Sequence, residues 1–252
     1  MYSGNDVAGI WRKSFGVMCG VLALLLAAPA FSAGIGVGAV RVIYEAKNGQ
    51  ALVPVTNSAA DPYLVQSRVS QTREGHEATP FFISPPLLRI EGNSKSVLRI
   101  TGNTQTLPQD RESLFYLTVT GIPSSSPLSR QNRSGFMSGG IAFAFATSLK
   151  LFYRPDNLPV TEEQAVKGLK VTRAGSNVRI ENASPYYITF NGLTINGQPV
   201  KFGKGGQPDM ISPFSSVAYP AGRAYPVSEA GKVTWQAITG VGFPVSSGTT
   251  LQ

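Results

Sequence analysis

The sequence is poor in the side chains that do most biological chemistry. Its 252 residues include one cysteine, Cys19, one histidine, His76, and two tryptophans, and Asp, Glu, Lys and Arg together make up only 14%. Those counts exclude a disulfide framework and a Cys/His zinc site in one step. His76 sits in "REGHEATP", which has the composition of an exposed turn and brings no second ligand or base near it. No G-x-S-x-G turn occurs for a serine nucleophile. "GIGVGAV" leads into a strand-like run with no helical period after it, and "GKGGQP" lacks the hydroxyl residue that a phosphate loop needs after Lys204. The expectation is a protein with no catalytic residues, no metal and no cofactor.

Long apolar runs are also scarce, with one exception near the start. "FGVMCGVLALLLAAPAFSA" follows Trp11, Arg12 and Lys13 and closes on small residues. A basic lead, an apolar run and a small-residue end predict a secretory signal peptide over residues 1–32, cut between about Ala30 and Ala33. The alternative is an anchoring helix, since residues 15–30 approach spanning length. Cleavage removes Asp6, Arg12, Lys13 and the only thiol, so the formal charge falls from +8 to +7. The mature chain is then an exported protein held together by core packing without disulfides. Its cations are scattered along the chain. That spacing disfavours a nucleic-acid or membrane surface and favours acidic groups of a protein, or no charged partner.

Helical periodicity is the third scarcity. Only "TEEQAVKGLKV" makes a turn or two, with Thr161 as its cap. What fills the rest is a succession of short alternating runs: "AVRVIYEA", "ALVPVTNS", "YLVQSRVSQT", "SVLRITG", "LFYLTVTGI", "IAFAFATSLKLFYR", "VRIENA", "YYITFNGLTING" and "KVTWQAITGVGF". They are rich in Val, Ile, Tyr, Phe and Thr and separated by turn residues, which predicts an all-β chain of sandwiches. A sandwich takes about a hundred residues, so two fit. Pro155 and Pro159 interrupt the pattern in "YRPDNLPV" and divide residues 34–154 from 158–252. The two halves show no close internal repeat. "IPSSSPLSRQNRSGFMSGG" reads as a long hairpin loop within the first half.

One stretch, "SGGIAFAFATSLKLFYRP", raises a functional question. Under a two-residue period Ile141, Phe143 and Phe145 share one face, and Ala142, Ala144 and Ala146 share the other. The large face fills either this protein's own core or another protein's. With the alanines turned inward, the bulky side chains are left as an apolar stripe beside the loop.

In order along the chain, "VRVIYEA", "VTNSAADPYLVQSRV", "FFISPPLLRI", "LPQDRESLFYLTVTGIP", "SLKLFYRPDNLP", "IENASPYYITFNGL" and "MISPFSSVAYP" resemble the periplasmic pilus (fimbrial) chaperones of the chaperone–usher pathway, the PapD-like family. "QDRESLF" and "KLFYRP" are the specific motifs, and the resemblance spans essentially the whole mature length. It implies two immunoglobulin-like β-sandwich domains arranged in an L with a basic interdomain cleft. It also implies a non-enzymatic periplasmic chaperone that captures pilin-like subunits and delivers them to an outer-membrane usher. Free of a subunit, such a strand is open to self-association. The readings from other classes are an exported carbohydrate-binding or hydrolytic β-sandwich and a structural adhesin subunit, the last being typically a single incomplete sandwich.

The resemblance assigns roles by position. The donor strand spans residues 139–153, with Ile141, Phe143 and Phe145 entering a subunit that lacks its last strand, the strand-addition mode of peptide recognition. Arg41 and Lys150 stand where relatives bind the subunit's C-terminal carboxylate. Glu112 of "DRES" and Arg154 of "YRP" stand where relatives place an interdomain charge pair. Relatives commonly add the Asp of an I-N-D motif to that pair, whereas this chain has Ile238, Thr239 and Gly240, so a third acid is missing there. The loop over residues 124–140 is longer than in the short-loop branch and lacks the cysteine pair usual in the long-loop branch, which leaves the subclass open.

Overall fold

A computed structural model describes residues 34–124, 143–221 and 231–251. The expected signal peptide, most of the long loop, Ile141 and Ala142 lie outside the described residues.

The first half contributes nine strands: β1 (Ile35–Val37), β2 (Arg41–Glu45), β3 (Ala51–Asn57), β4 (Tyr63–Ser70), β5 (Phe81–Ser84), β6 (Leu87–Ile90), β7 (Ser94–Gly102), β8 (Ser113–Pro123) and β9 (Phe145–Arg154). They form two sheets, in the orders β1-β3-β7-β5 and β2-β9-β8-β4-β6. In β3, Ala51, Val53 and Val55 are buried while Leu52 and Pro54 are exposed, the two-residue alternation of a strand with one face on the core. Val65, Leu98, Ile100, Leu117 and Leu151 complete that core without exposed surface. Tyr44, Phe81 and Phe115 stack edge to face through it, with ring centres 5.1 and 5.0 Å apart.

The second half opens with helix α1 (Glu162–Lys167), one and a half turns long. Thr161 caps it as expected, in a reciprocal box with Gln164. Strands β10 (Lys170–Ala174), β11 (Asn177–Asn182), β12 (Ile188–Ile195), β13 (Gln198–Pro199), β14 (Met210–Ile211), β15 (Ser215–Pro220), β16 (Lys232–Ile238) and β17 (Pro244–Thr250) follow. They build the sheets β10-β11-β15 and β13-β12-β16-β17, with β14 added to the start of β12. Val178, Ile180, Leu193, Tyr219, Val233 and Trp235 fill a separate core. Trp235 donates its Nε1–H to the Val166 carbonyl at 2.9 Å, tying α1 to the sheet.

A polar corner recurs in both halves. Buried Asn57 ends β3 and donates its amide to the Asp61 carbonyl at 2.9 Å, while its Oδ1 accepts from the Ala59 N–H at 3.0 Å. Buried Asn182 ends β11 and donates to the Tyr186 carbonyl at 2.7 Å, while its Oδ1 accepts from the Ser184 N–H at 3.1 Å. Each asparagine satisfies backbone groups that a turn leaves unpaired, as burial requires. "TNSAADPY" and "ENASPYY" are thus one device used twice.

Candidate functional site

The site begins with the pairing of β9. It is antiparallel to β8 from Phe145 to Tyr153, whereas β2 lies parallel beside it only at residues 150–154. Residues 145–149 therefore have a partner on one side alone, among the described residues. Phe143 and Phe145 are 63% and 70% exposed. They share the odd-numbered face of the strand with Leu149, Leu151 and Tyr153, which are buried, so the face that fills the core at one end continues past the sandwich at the other. The expected inward alanine face differs: Ala144 and Ala146 are exposed too. The strand has run beyond its own core, so neither side chain row has anything of the first sandwich to cover. Ile141 and Ala142 fall outside the described residues.

The even-numbered face of β9 carries the cations. Arg41 lies directly opposite Lys150 in the parallel register, and Glu45 opposite Arg154. Val42 and Tyr44 point into the core, so Arg41 and Lys150 project together on the other side of the sheet, toward the second sandwich. Arg41 donates Nη1–H to the Ile238 carbonyl at 3.0 Å and lies over the Phe152 ring at 5.8 Å. Burial pushes its guanidinium pKa down, opposed by the carboxylates of Glu162, Glu112 and Asp209. Lys150, with 14% of its side chain exposed, donates Nζ–H to Asp209 Oδ2 at 3.0 Å.

Arg154 is the centre of a tighter cluster. Its Nε and Nη2 each lie 2.8 Å from Glu112 Oε1, and Glu112 is only 2% exposed in its side chain. Glu112 Oε2 accepts from the Tyr187 N–H at 2.8 Å, and the Glu112 N–H donates to the Pro185 carbonyl at 2.9 Å. One residue of the first half is thereby stitched to the second through side chain and backbone alike. Burial raises the Glu112 pKa, countered by Arg154 and the Tyr187 amide. Arg154 is raised in turn: burial opposes its charge, and the two carboxylates outweigh that.

The third acid is present, from an unexpected place. Glu162, the first residue of α1, brings Oε1 to 2.9 Å from Arg154 Nη2 and accepts the Gly240 N–H at 2.8 Å. Gly240, where the resemblance implies an Asp, contributes a backbone donor instead. A Cβ there would meet Ile43 Cγ1 at 2.9 Å and Arg154 Nη2 at 3.2 Å, so a side chain at this position would have to displace the Ile43 side chain and crowd the Arg154 guanidinium. In the sequence Glu162 is one of two acids in a first helical turn, favourable for the dipole, and nothing local distinguishes it.

Three carboxylates, Glu112, Glu162 and Asp209, thus stand among three cations, Arg41, Lys150 and Arg154. At this point of the expected basic cleft the named acids equal the named bases in number. His76 is exposed in the connection between β4 and β5. Among the described residues no group of three or more His, Cys, Asp or Glu is placed to hold a metal ion.

Two β-sandwiches in series, with a strand extending beyond one of them, define the class of fold. Residues 34–159 match the family described as "Pili and flagellar-assembly chaperone, PapD N-terminal domain", and residues 164–247 match "Pili assembly chaperone PapD, C-terminal domain". Chaperone protein LpfB of Salmonella typhimurium is 36% identical over 188 residues, 73% of this chain and 78% of the relative. Chaperone protein FimC of Escherichia coli strain K12 is 36% identical over 191 residues, 72% and 76% of the two chains. The crystal structure of the E. coli chaperone DraB superposes with a TM-score of 0.70 at 32% identity, covering 86% of this chain and 98% of that one. A chain of the complex of Salmonella enterica SafA pilin with the SafB chaperone gives 0.67 at 28% identity, covering 87% and 97%. The chain belongs to the PapD-like pilus-assembly chaperones, with two immunoglobulin-like β-sandwich domains. The reading as a carbohydrate-binding or hydrolytic sandwich is not favoured, since the family accounts for both halves.

Proposed function

We propose that this protein is a periplasmic chaperone that captures pilin-like subunits by lending them β9, and then passes them to an outer-membrane usher. The carrying observation is the unpaired edge at residues 145–149, with Phe143 and Phe145 bare on the face that continues the core. An incomplete sandwich that pairs with this edge gains backbone hydrogen bonds along it, and Ile141, Phe143 and Phe145 fill its core. Each such side chain contributes roughly 1.5–3 kcal/mol when fully buried, before the cost of ordering the adjoining loop. The complex of the SafB chaperone with SafA pilin points the same way.

Arg41 and Lys150 hold the subunit's terminal carboxylate. They lie side by side, five residues from Phe145 at the nearest, so an anchored chain end fixes the register in which alternate side chains meet the groove. Glu112, Arg154 and Glu162 keep the two sandwiches at a fixed relation around that anchor. Catalysis and cofactors play no part: subunit folding supplies the free energy. When no subunit is available, the same edge accepts a second copy of this chain.

The test is co-expression with a pilin subunit whose final strand is missing, followed by recovery of the complex from periplasm. The wild-type chain should retain the subunit and Lys150→Ala should lose most of it. Equal recovery by both would count against the assignment of the anchor.

A further inference from the structure

Asp209 is a carboxylate already sitting in the proposed anchor. Its Oδ2 is 3.0 Å from Lys150 Nζ, and its charge is also felt by Arg41. The two partners differ in surroundings. Lys150 is 14% exposed and has little water to replace a lost partner, whereas Asp209 is 49% exposed and is readily rehydrated if released. Asp209 is also held in place by its backbone: its carbonyl accepts the Phe190 N–H at 2.7 Å, and the preceding Pro208 carbonyl accepts the Tyr219 hydroxyl at 3.2 Å. A fixed main chain therefore presents a half-exposed carboxylate to a shielded ammonium.

We propose that Asp209 is a specificity residue of the anchor, an internal carboxylate that occupies Lys150 until the terminal carboxylate of a captured chain replaces it. This rests on the assignment of Arg41 and Lys150 given above. The exchange trades one Lys–carboxylate pair for another and so adds little net affinity by itself. A ligand that offers only a carboxylate, such as a free peptide end, gains almost nothing over Asp209. One that also adds a strand along residues 145–149 pulls its carboxylate into place with it. Asp209 thus makes the anchor selective for chain ends attached to a groove.

The probe is a short fluorescent peptide of alternating valine and threonine, with a free C-terminal carboxylate or with an amide, titrated by anisotropy. With wild-type protein the acid should bind only slightly better than the amide, because Asp209 offsets most of the gain. Asp209→Asn should tighten the acid by about three- to tenfold, the range set by a partly exposed ion pair and the removed repulsion, and leave the amide unchanged. Asp209→Glu, which keeps the charge, should return the acid toward wild-type affinity and guards against a variant that misfolds. An acid–amide gap that is present in wild type and unaltered by Asp209→Asn overturns the role of Asp209 while leaving the anchor standing. No gap in any of the proteins sinks the anchor, and this inference with it.

Discussion

The two halves of β9 teach how one strand can be both structural and available. Residues 150–153 have β8 on one side and β2 on the other, with Leu151 and Tyr153 in the core and Lys150 and the following Arg154 tied to the second sandwich. Among the described residues, 145–149 have β8 alone, and Phe145 at their start meets solvent. The first half is uncharged and the second carries Lys150 and Arg154, and their neighbours differ as well. A strand clamped at its C-terminal half can offer its N-terminal half without unravelling, because the cost of ordering the offered backbone is reduced by the β8 pairing.

That comparison breaks most visibly at Arg154. Arg154→Ala leaves Glu112 buried with only the Tyr187 amide for company, and should cost about 3–5 kcal/mol of stability in urea denaturation. A loss below 1 kcal/mol would show that the clamped half is not clamped by this cluster. Next in size is the effect of Lys150→Ala on subunit capture, about 2–5 kcal/mol in a titration if the bound carboxylate is largely desolvated. The same change should cost the free protein about 1 kcal/mol or less, since Asp209 returns to water. Glu162→Gln sharpens the picture further. It removes a charge from Arg154 while keeping an acceptor for Gly240, and should lower stability by about 1 kcal/mol in the same urea titration.

Much of this was legible from residues. Alternation and turn chemistry point to an all-β chain, and Pro155 and Pro159 fall between β9 and α1. Thr161 and Gln164 mark the helix start because a capping box is a local pattern. The short strands β1, β5, β6, β13 and β14 and the longer β10, β15 and β17 fall outside the alternating runs: "KVTRA" directly follows helix-like sequence, and "SSVAYP" and "PVSSGTT" have weak apolar alternation. The repeated asparagine corner was hidden because only two buried amides are shared, within otherwise different sequence. At the junction, Arg41, Lys150, Glu112 and Arg154 were found through motifs. Glu162 and Asp209 lie 50 and 97 residues beyond Glu112 in the chain, and only the folded arrangement brings them to the cations. The alanine face went astray for a related reason. A two-residue period says which side chains share a face, and is silent on where the core under that face ends.

The smallest expected effect on the free protein gives the most direct test of the central claim. Phe143→Ser combined with Phe145→Ser removes two exposed rings from the unclamped half, so the stability of the free chain should change by no more than about 0.5 kcal/mol. Pilin capture by the same variant should fall steeply, because two groove positions lose their burial and receive hydroxyls without partners. The measurement is the thermal midpoint of the free variant, set beside its recovery of a pilin subunit from periplasm. An unchanged midpoint with lost capture is the predicted result; a lowered midpoint with capture intact in the folded fraction would contradict the account.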